Sequence, residues 1–523
     1  MSSILKSTSI VALSTLASRI LGFIREMLFA AFFGATGSTD AFFVAFRIPN
    51  LMRRLVAEGA LTISFIPVYT EYIINKGESE SLILAQKTLS ILLIALFLLT
   101  GLGMIFSPEL VRAFAYGLTG AGDITIAGNL TRIMFPYLIL VGLTAFSMGV
   151  LNSHGYFFSS AFSPVLLNVG IITGIISGHY IFKNDLYGPA IGVLIGGVLQ
   201  FVFQIPYMIR TGFKLKFSFD LNHPGIKKIF GMLTPALFGI AVYQINILMS
   251  TLLASLLPSG SISYLYYSDR LTEMALGIFI VSIGNVILPE MSKLSAGDNF
   301  EKLKELYLKS VRAALFLALP SACALIVIGL PIVTVFFQRG SFTEYDSIMT
   351  YRALFYSSIG IVSVSILRIT TPAFYSLKDT KSPVKAAAVA FVLNITLGYI
   401  LMNTGLKHAG LALANTISVT VQMLILGVIF YRRLGGLPFG KFLPSFLKSV
   451  LSSIIMGVFL YFMSGIIDWK TSSSVVKASV LTINVIAGCL IFFLVSYLLK
   501  VEEIRYLTDR LRRKWNSKIK NNA

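Results

Sequence analysis

A chain of 523 residues that is 56% hydrophobic and only 13% charged lies far below the roughly 25% charge of an ordinary soluble domain. Its mean hydropathy of +0.82 is sustained along the whole length, which excludes a soluble enzyme with one anchor and leaves a polytopic membrane protein. The 43 Lys+Arg against 23 Asp+Glu give a net charge of +20; in a soluble chain that would suggest nucleic acid, but here basic loops that fix membrane orientation are the expected cause, and no nucleic-acid partner is expected.

The first 26 residues, MSSILKSTSIVALSTLASRILGFIRE, place Arg19 and Arg25 inside the apolar run and show no small-residue cleavage site. They read as a retained first helix and not as a signal peptide. Apolar windows of about 20 residues, the length that crosses a hydrocarbon core of about 30 Å, recur about fourteen times. They lie near 8–33, 41–70, 82–106, 129–152, 159–179, 186–208, 229–256, 263–291, 309–336, 348–375, 383–402, 409–432, 444–466 and 474–499. The second is overlong and holds Pro49, Gly59 and Pro67, so a kink or break is expected there. Pro235, Pro320 and Pro372 fall inside later spans and are candidate hinges. β-barrel alternation is absent, and an α-helical bundle then satisfies the backbone in lipid.

Charge alternates between successive loops. Arg210, Lys214, Lys216, Lys227 and Lys228 follow the sixth span, and Lys293, Lys302, Lys304 and Lys309 the eighth. Lys378, Lys381 and Lys385 follow the tenth, and Arg432, Arg433 and Lys441 the twelfth, whereas 34–40 and 257–262 hold no basic residue. Both termini are therefore expected on the cytoplasmic side. In the C-terminal tail, Ile504, Leu507, Leu511 and Trp515 recur at helical spacing among Arg505, Arg510, Arg512, Arg513 and Lys514, as in an interfacial helix on an anionic leaflet; a solvated basic tail is the plainer alternative.

Shifting the chain on itself by about 222 residues superposes GSTDAFFVAFR (37–47) on GSISYLYYSDR (260–270), and Gly188, Gln200 and Arg210 on Gly410, Gln422 and Arg432. The chain thus reads as a duplication of six-helix halves. An even helix number keeps both halves in one orientation, so a pseudo-two-fold along the membrane normal is expected. The resulting division is 1–220 for an N-lobe, 221–440 for a C-lobe, 441–500 for two extra helices and 501–523 for a basic cytoplasmic tail.

Ionisable residues inside spans carry the functional signal. They are Arg19, Arg25 and Glu26 in the first span, Asp40, Arg53, Arg54 and Glu58 in or beside the second, and Asp269, Arg270 and Glu273 in the eighth. Each arginine at mid-bilayer costs about 2.5–3.5 kcal/mol on insertion scales, so these side chains must face one another or a wet cavity. Arg270 and Asp269 reach Glu273 at i+3 and i+4, and a structural ion pair is open there. On the first helix Ser18, Gly22 and Arg25 share one stripe and Arg19 and Glu26 another, with nothing in the sequence to say which faces inward. An arginine-rich set suits a phosphate or pyrophosphate, through a planar fork that stays charged. No Walker A sequence, acyl-transfer triad or pair of catalytic acids accompanies it, which points to movement of a substrate without chemistry on it. Cys323 and Cys489, each in an apolar stretch, offer neither a disulfide framework nor a thiolate metal site, and both are expected in the interior. His154, His179, His223 and His408 lack the spacing of a metal-binding helix.

SRILGFIRE (18–26), TDAFFVAFRIPNLMRRLVAEGALTISFIPVYTEY (39–72) and YYSDRLTEM (266–274), followed in order by LPSACAL, FYSLKDTKSPVK and LKHAGLALA, resemble the MurJ/MviN family. These are the lipid II flippases of bacterial peptidoglycan synthesis, in the multidrug/oligosaccharidyl-lipid/polysaccharide exporter superfamily. The resemblance implies an all-α protein of the bacterial cytoplasmic membrane, with two six-helix lobes around a central cationic cavity and two further helices forming a groove for the polyprenyl tail. It implies alternating access and a substrate of undecaprenyl pyrophosphate bearing a disaccharide-pentapeptide. The family's essential arginines fall on Arg19, Arg25, Arg53 and Arg270, and its acidic residues on Asp40 and Glu273, with Asp269 a further match. No cofactor or metal is expected; coupling to membrane potential or to a monovalent cation stays open. Membrane lipids and other cell-wall synthesis proteins are further candidate partners. The alternatives are a cation-coupled multidrug exporter of the same superfamily and a non-transporting scaffold for cell-wall synthesis.

Overall fold

The computed structural model describes residues 2–55, 61–118, 123–181, 186–277, 280–440 and 442–504. Their regular structure is helical throughout: α1 (Ser2–Phe33), α2 (Gly37–Met52), α3 (Thr62–Ile105), α4 (Ser107–Ala115), α5 (Asp123–Met134), α6 (Tyr137–Ser153), α7 (Phe157–Tyr180), α8 (Tyr187–Arg210), α9 (Pro224–Ser255), α10 (Ser261–Gly277), α11 (Ile280–Ala296), α12 (Phe300–Phe337), α13 (Glu344–Ser376), α14 (Lys381–Met402), α15 (His408–Arg433), α16 (Phe442–Ser464) and α17 (Ser474–Leu498). Among the described residues, 10 helical stretches are long and apolar enough to cross a membrane. The chain is an all-α polytopic membrane protein, and about fourteen spans accord with these helices.

Where helices and expected spans differ, the backbone gives the reason. The overlong second span is broken: α2 carries Pro49 and ends at Met52, the helix widens to π type over 53–55, and α3 begins at Thr62 with Pro67 inside it. Gly59 and Glu58 lie outside the described residues, as do 505–523 of the tail. α3 then joins two expected spans through a kink at Gly77, whose φ of 85° is the left-handed region that glycine enters without strain. The kink of α12 falls at Ile328 (φ −111°, ψ 20°) and not at Pro320. Pro331, three residues on, withholds the amide that would bond the carbonyl four residues back. Pro372 lies within α13, and Pro235 within the range of α9.

The chain divides into two compact units, Met1–Ser263 with Arg339–Phe342, and Tyr264–Gln338 with Thr343–Ala523. The division by contact falls after Ser263, whereas the repeat divides at 220/221; α9 is the helix between the two boundaries. In the first unit α3 and α6 enclose Phe65, Tyr69, Leu84, Leu96, Phe146 and Leu151. Beside them α7 and α8 meet on glycine. A Cβ at Gly170 would lie 2.4 Å from Gly196 Cα, one at Gly174 2.4 Å from the Gly188 carbonyl, and one at Gly192 2.7 Å from the Gly170 carbonyl. Backbones approach this closely in membranes where no side chain intervenes. α1 lies along α7.

In the second unit Tyr307 of α12, Phe374 of α13 and Phe430 of α15 form a buried centre, with the Tyr307 hydroxyl 2.9 Å from Thr370 Oγ1. α16 packs on α12 through its small residues. Cys323 Sγ donates to the Ser453 carbonyl at 3.1 Å, and a Cβ on Gly457 would lie 2.5 Å from that sulfur. α17 closes the group through Phe492, with Val501 and Ile504 beneath. Cys489 corrects the expectation of two interior cysteines, since it is exposed on α17. The outside of a membrane helix meets lipid, so apolar neighbours along the chain do not imply an interior position.

Candidate substrate-binding site

Helix α1 settles which of its stripes is held. Ser18, Gly22 and Arg25 face α7, where Arg25 Nη1 donates to Asn168 Oδ1 at 3.1 Å. Asn168 Nδ2 in turn donates to the Ser18 carbonyl at 3.0 Å. Gly22 faces the same amide, and a Cβ there would make an ordinary contact of 3.5 Å with Asn168 Nδ2. The other guanidinium nitrogen, Nη2, pairs with Glu26. The Arg25 side chain is 15% exposed and that of Glu26 4%, so a permanent positive charge is sunk in a span beside one carboxylate. Arg19, one turn and a half earlier, is exposed on the opposite stripe.

On α2 the charges have separate neighbours. Thr36 caps the helix by accepting from the Thr39 amide at 3.3 Å. Asp40, in the first turn, is buried, and its carboxylate accepts from the Gly260 amide at 2.7 Å, the Ser263 amide at 2.8 Å and the Ser263 hydroxyl at 2.5 Å. A carboxylate bonded to the first amides of α10 acts as a helix cap there, so Asp40 has a structural task independent of any substrate. Arg53, in the π-type turn, is half-buried and donates through Nε to Asn50 Oδ1 at 2.7 Å. Arg54 is also half-buried, while Arg47 donates to Thr251 Oγ1.

In the second unit Arg270 makes two contacts within its own helix. Its Nη1 donates to Glu273 Oε2 at 2.6 Å, and its guanidinium carbon lies 4.7 Å from the Tyr266 ring centre, a cation–π distance. The i+3 ion pair is formed, with side-chain exposures of 32% for Arg270 and 60% for Glu273. Asp269 is exposed. Asn168 is the member of this set not anticipated from sequence. Its signal was a lone amide inside SPVLLN, because a polar side chain in a span requires a partner.

This architecture defines a class before it defines a family. A solved inward-facing MATE transporter of the MOP superfamily superposes with a TM-score of 0.68 over 80% of this chain and 94% of its own, at 15% identity, a likeness of fold. A solved "Lipid II flippase MurJ, inward closed conformation" superposes with a TM-score of 0.78 over 93% of this chain and 98% of its own, at 27% identity. The family model described as Lipid II flippase MurJ matches residues 29–480. A "Probable lipid II flippase MurJ" of Vibrio cholerae is 38% identical over 435 residues, 81% of this chain and 82% of that relative. The chain belongs to the MurJ family of lipid II flippases, a family of membrane transporters.

Proposed function

We propose that this protein carries lipid II from the cytoplasmic to the periplasmic leaflet of the bacterial inner membrane, for cell-wall synthesis, with both termini in the cytoplasm. Family membership across 29–480 is the observation that carries the reading. The substrate joins a pyrophosphate with an undecaprenyl chain and a disaccharide-pentapeptide. Arginine suits its charged part, because guanidinium forks phosphate oxygens and stays charged as the surroundings dry out. Arg25 is the principal anchor, oriented by Asn168 and Glu26. Arg19, Arg53 and Arg270 supply further positive charge, Glu273 and Asp269 limit it, and Asp40 contributes by fixing the start of α10.

Access to these residues alternates between the two leaflets, driven by membrane potential or by a monovalent cation. The hydrocarbon tail runs on α16 and α17, whose outward faces carry Leu451, Ile454, Val458, Ile486, Leu490 and Phe493, all exposed. Each CH₂ kept from water contributes about 0.8 kcal/mol, so the tail needs an apolar path beside the charged one. The test is transport of lipid II in sealed vesicles of purified protein, with each gradient collapsed in turn. Arg25→Ala should abolish transport without loss of membrane insertion, and Arg25→Lys should restore part of it. Undiminished transport by Arg25→Ala, or equal binding of lipid II and an uncharged polyprenol, overturns the reading.

A further inference from the structure

Between α8 and α9 the chain FKLKFSFDL, 213–221, alternates apolar and polar residues; 213–220 are without helix or turn, and Leu221 opens the turn that leads to α9. Three bonds lay this ribbon on α3. Gln86 Nε2 donates to the Lys214 carbonyl at 2.9 Å, the Ser218 amide donates to Ser90 Oγ at 2.9 Å, and Lys87 Nζ pairs with Asp220 at 2.7 Å. Phe213 roots the ribbon in the α3/α6 core, where its ring lies 5.9 Å from that of Phe146. Beyond it Leu215, Phe217, Phe219 and Leu221 are 65%, 62%, 59% and 64% exposed. An extended chain sends alternate side chains to one face, so Leu215, Phe217 and Phe219 share an uncovered edge, with Leu221 exposed at the turn that follows.

The neighbouring helices show what covers it. Ile191, Ile195, Val198, Val202, Ile205 and Ile209 are the exposed residues of one stripe of α8. From Ile191 to Ile209 the stripe spans about 27 Å at 1.5 Å per residue, close to the hydrocarbon thickness of about 30 Å. Arg210 then ends the helix, its guanidinium carbon 5.6 Å from the Tyr207 ring centre. On α3 the exposed Ile94, Phe97 and Leu98 begin one turn beyond Ser90. The ribbon therefore continues two lipid-facing surfaces at the level where hydrocarbon gives way to headgroups. Lys214 and Lys216 alternate with its apolar residues, Arg210, Lys227 and Lys228 flank it, and its one acid, Asp220, is engaged by Lys87, which holds that carboxyl below the usual carboxylate range.

We infer that residues 213–221 form a membrane-seated strip that inserts Leu215, Phe217, Phe219 and Leu221 at the headgroup boundary and binds acidic phospholipid through Lys214 and Lys216. The test uses the full chain with Trp469→Phe and Trp515→Phe and a reporter at Phe217→Trp, or at Leu215→Trp as an independent second variant. It is placed in bilayers of phosphatidylcholine and phosphatidylglycerol, with either lipid brominated high on its acyl chain. Brominated lipid should quench the reporter more than aqueous acrylamide does, and brominated phosphatidylglycerol more than brominated phosphatidylcholine. Lys214→Gln and Lys216→Gln should each lower that preference by up to about fivefold. Equal quenching by both lipids overturns the acidic-headgroup assignment. Dominant acrylamide quenching of both reporters overturns the membrane seat and leaves the strip as an edge for a protein partner.

Discussion

Arg25 of α1 and Arg270 of α10 are both arginines within predicted spans, yet they are held in opposite ways. Arg25 is bonded across a helix interface, to an asparagine 143 residues away, and its orientation depends on how α1, α7 and α8 pack. Arg270 bonds Glu273 one turn along the same helix and rests on Tyr266, so these two contacts travel with α10. The first is a property of the assembled unit and the second of a local sequence. Changes to the packing of α1 on α7 should therefore reach Arg25, whereas the Arg270–Glu273 pair depends on local spacing.

The largest expected effect comes from the floor beneath Asn168. Gly192→Leu on α8 puts a side chain where a Cβ alone would be 2.7 Å from the Gly170 carbonyl. Overpacking costs about 1–3 kcal/mol where side chains can shift, and backbone can shift less. Thermal unfolding in detergent should show the first unit destabilised by at least about 3 kcal/mol, and a wild-type midpoint would mean that the glycine contact is not a constraint. Next comes Asn168→Leu, which removes a hydrogen bond to a charged group, worth about 1.5–3 kcal/mol. Lipid II transport should fall about tenfold, one step of 1.4 kcal/mol, while Asn168→Gln recovers part of it. Equal activity in all three proteins would detach Arg25 from α7.

Glu273→Gln should do far less. An exposed i+3 pair contributes about 0.2–0.5 kcal/mol, so unfolding should move little and a loss above about 1 kcal/mol would show that Arg270 is held tertiarily after all. The smallest effect concerns a charge outside the spans. Asp379, in the loop before α14, accepts from the Ser382 amide and hydroxyl and pairs with Arg433. Chiefly through the Ser382 amide, its carboxyl sits below the usual carboxylate range. Its stabilisation is therefore complete above the unfolded value of about 3.9 and is lost as pH falls through the lower folded value. Asp379→Asn should flatten the acid limb of the stability profile in that window; an unchanged limb would assign the acid sensitivity elsewhere.

The same contrast explains what could be read from the chain. The long helices were legible because a span must be apolar for about 20 residues, and the break near Pro49 because proline lacks a donor. The short α4 was not, since its nine residues mix Glu109 and Arg112 with apolar ones. Arginine identities stood out by insertion cost, and the Arg270–Glu273 pair by its spacing. No local rule links Arg25 to Asn168, or chooses between two stripes of α1. Asp40 was legible as a charge in a span but not as a cap, because the amides it binds lie more than 200 residues further on.

The glycine contact between α7 and α8 bears on how the protein is made. Two helices whose backbones touch at Gly170, Gly174, Gly188, Gly192 and Gly196 leave no gap for a lipid tail between them. A short connection allows them to leave the insertion machinery as one hairpin, after α1 to α6 of the same unit. The face that carries Asn168 is then completed in one step, and α1, synthesised first, sets down its arginine only once that hairpin has formed.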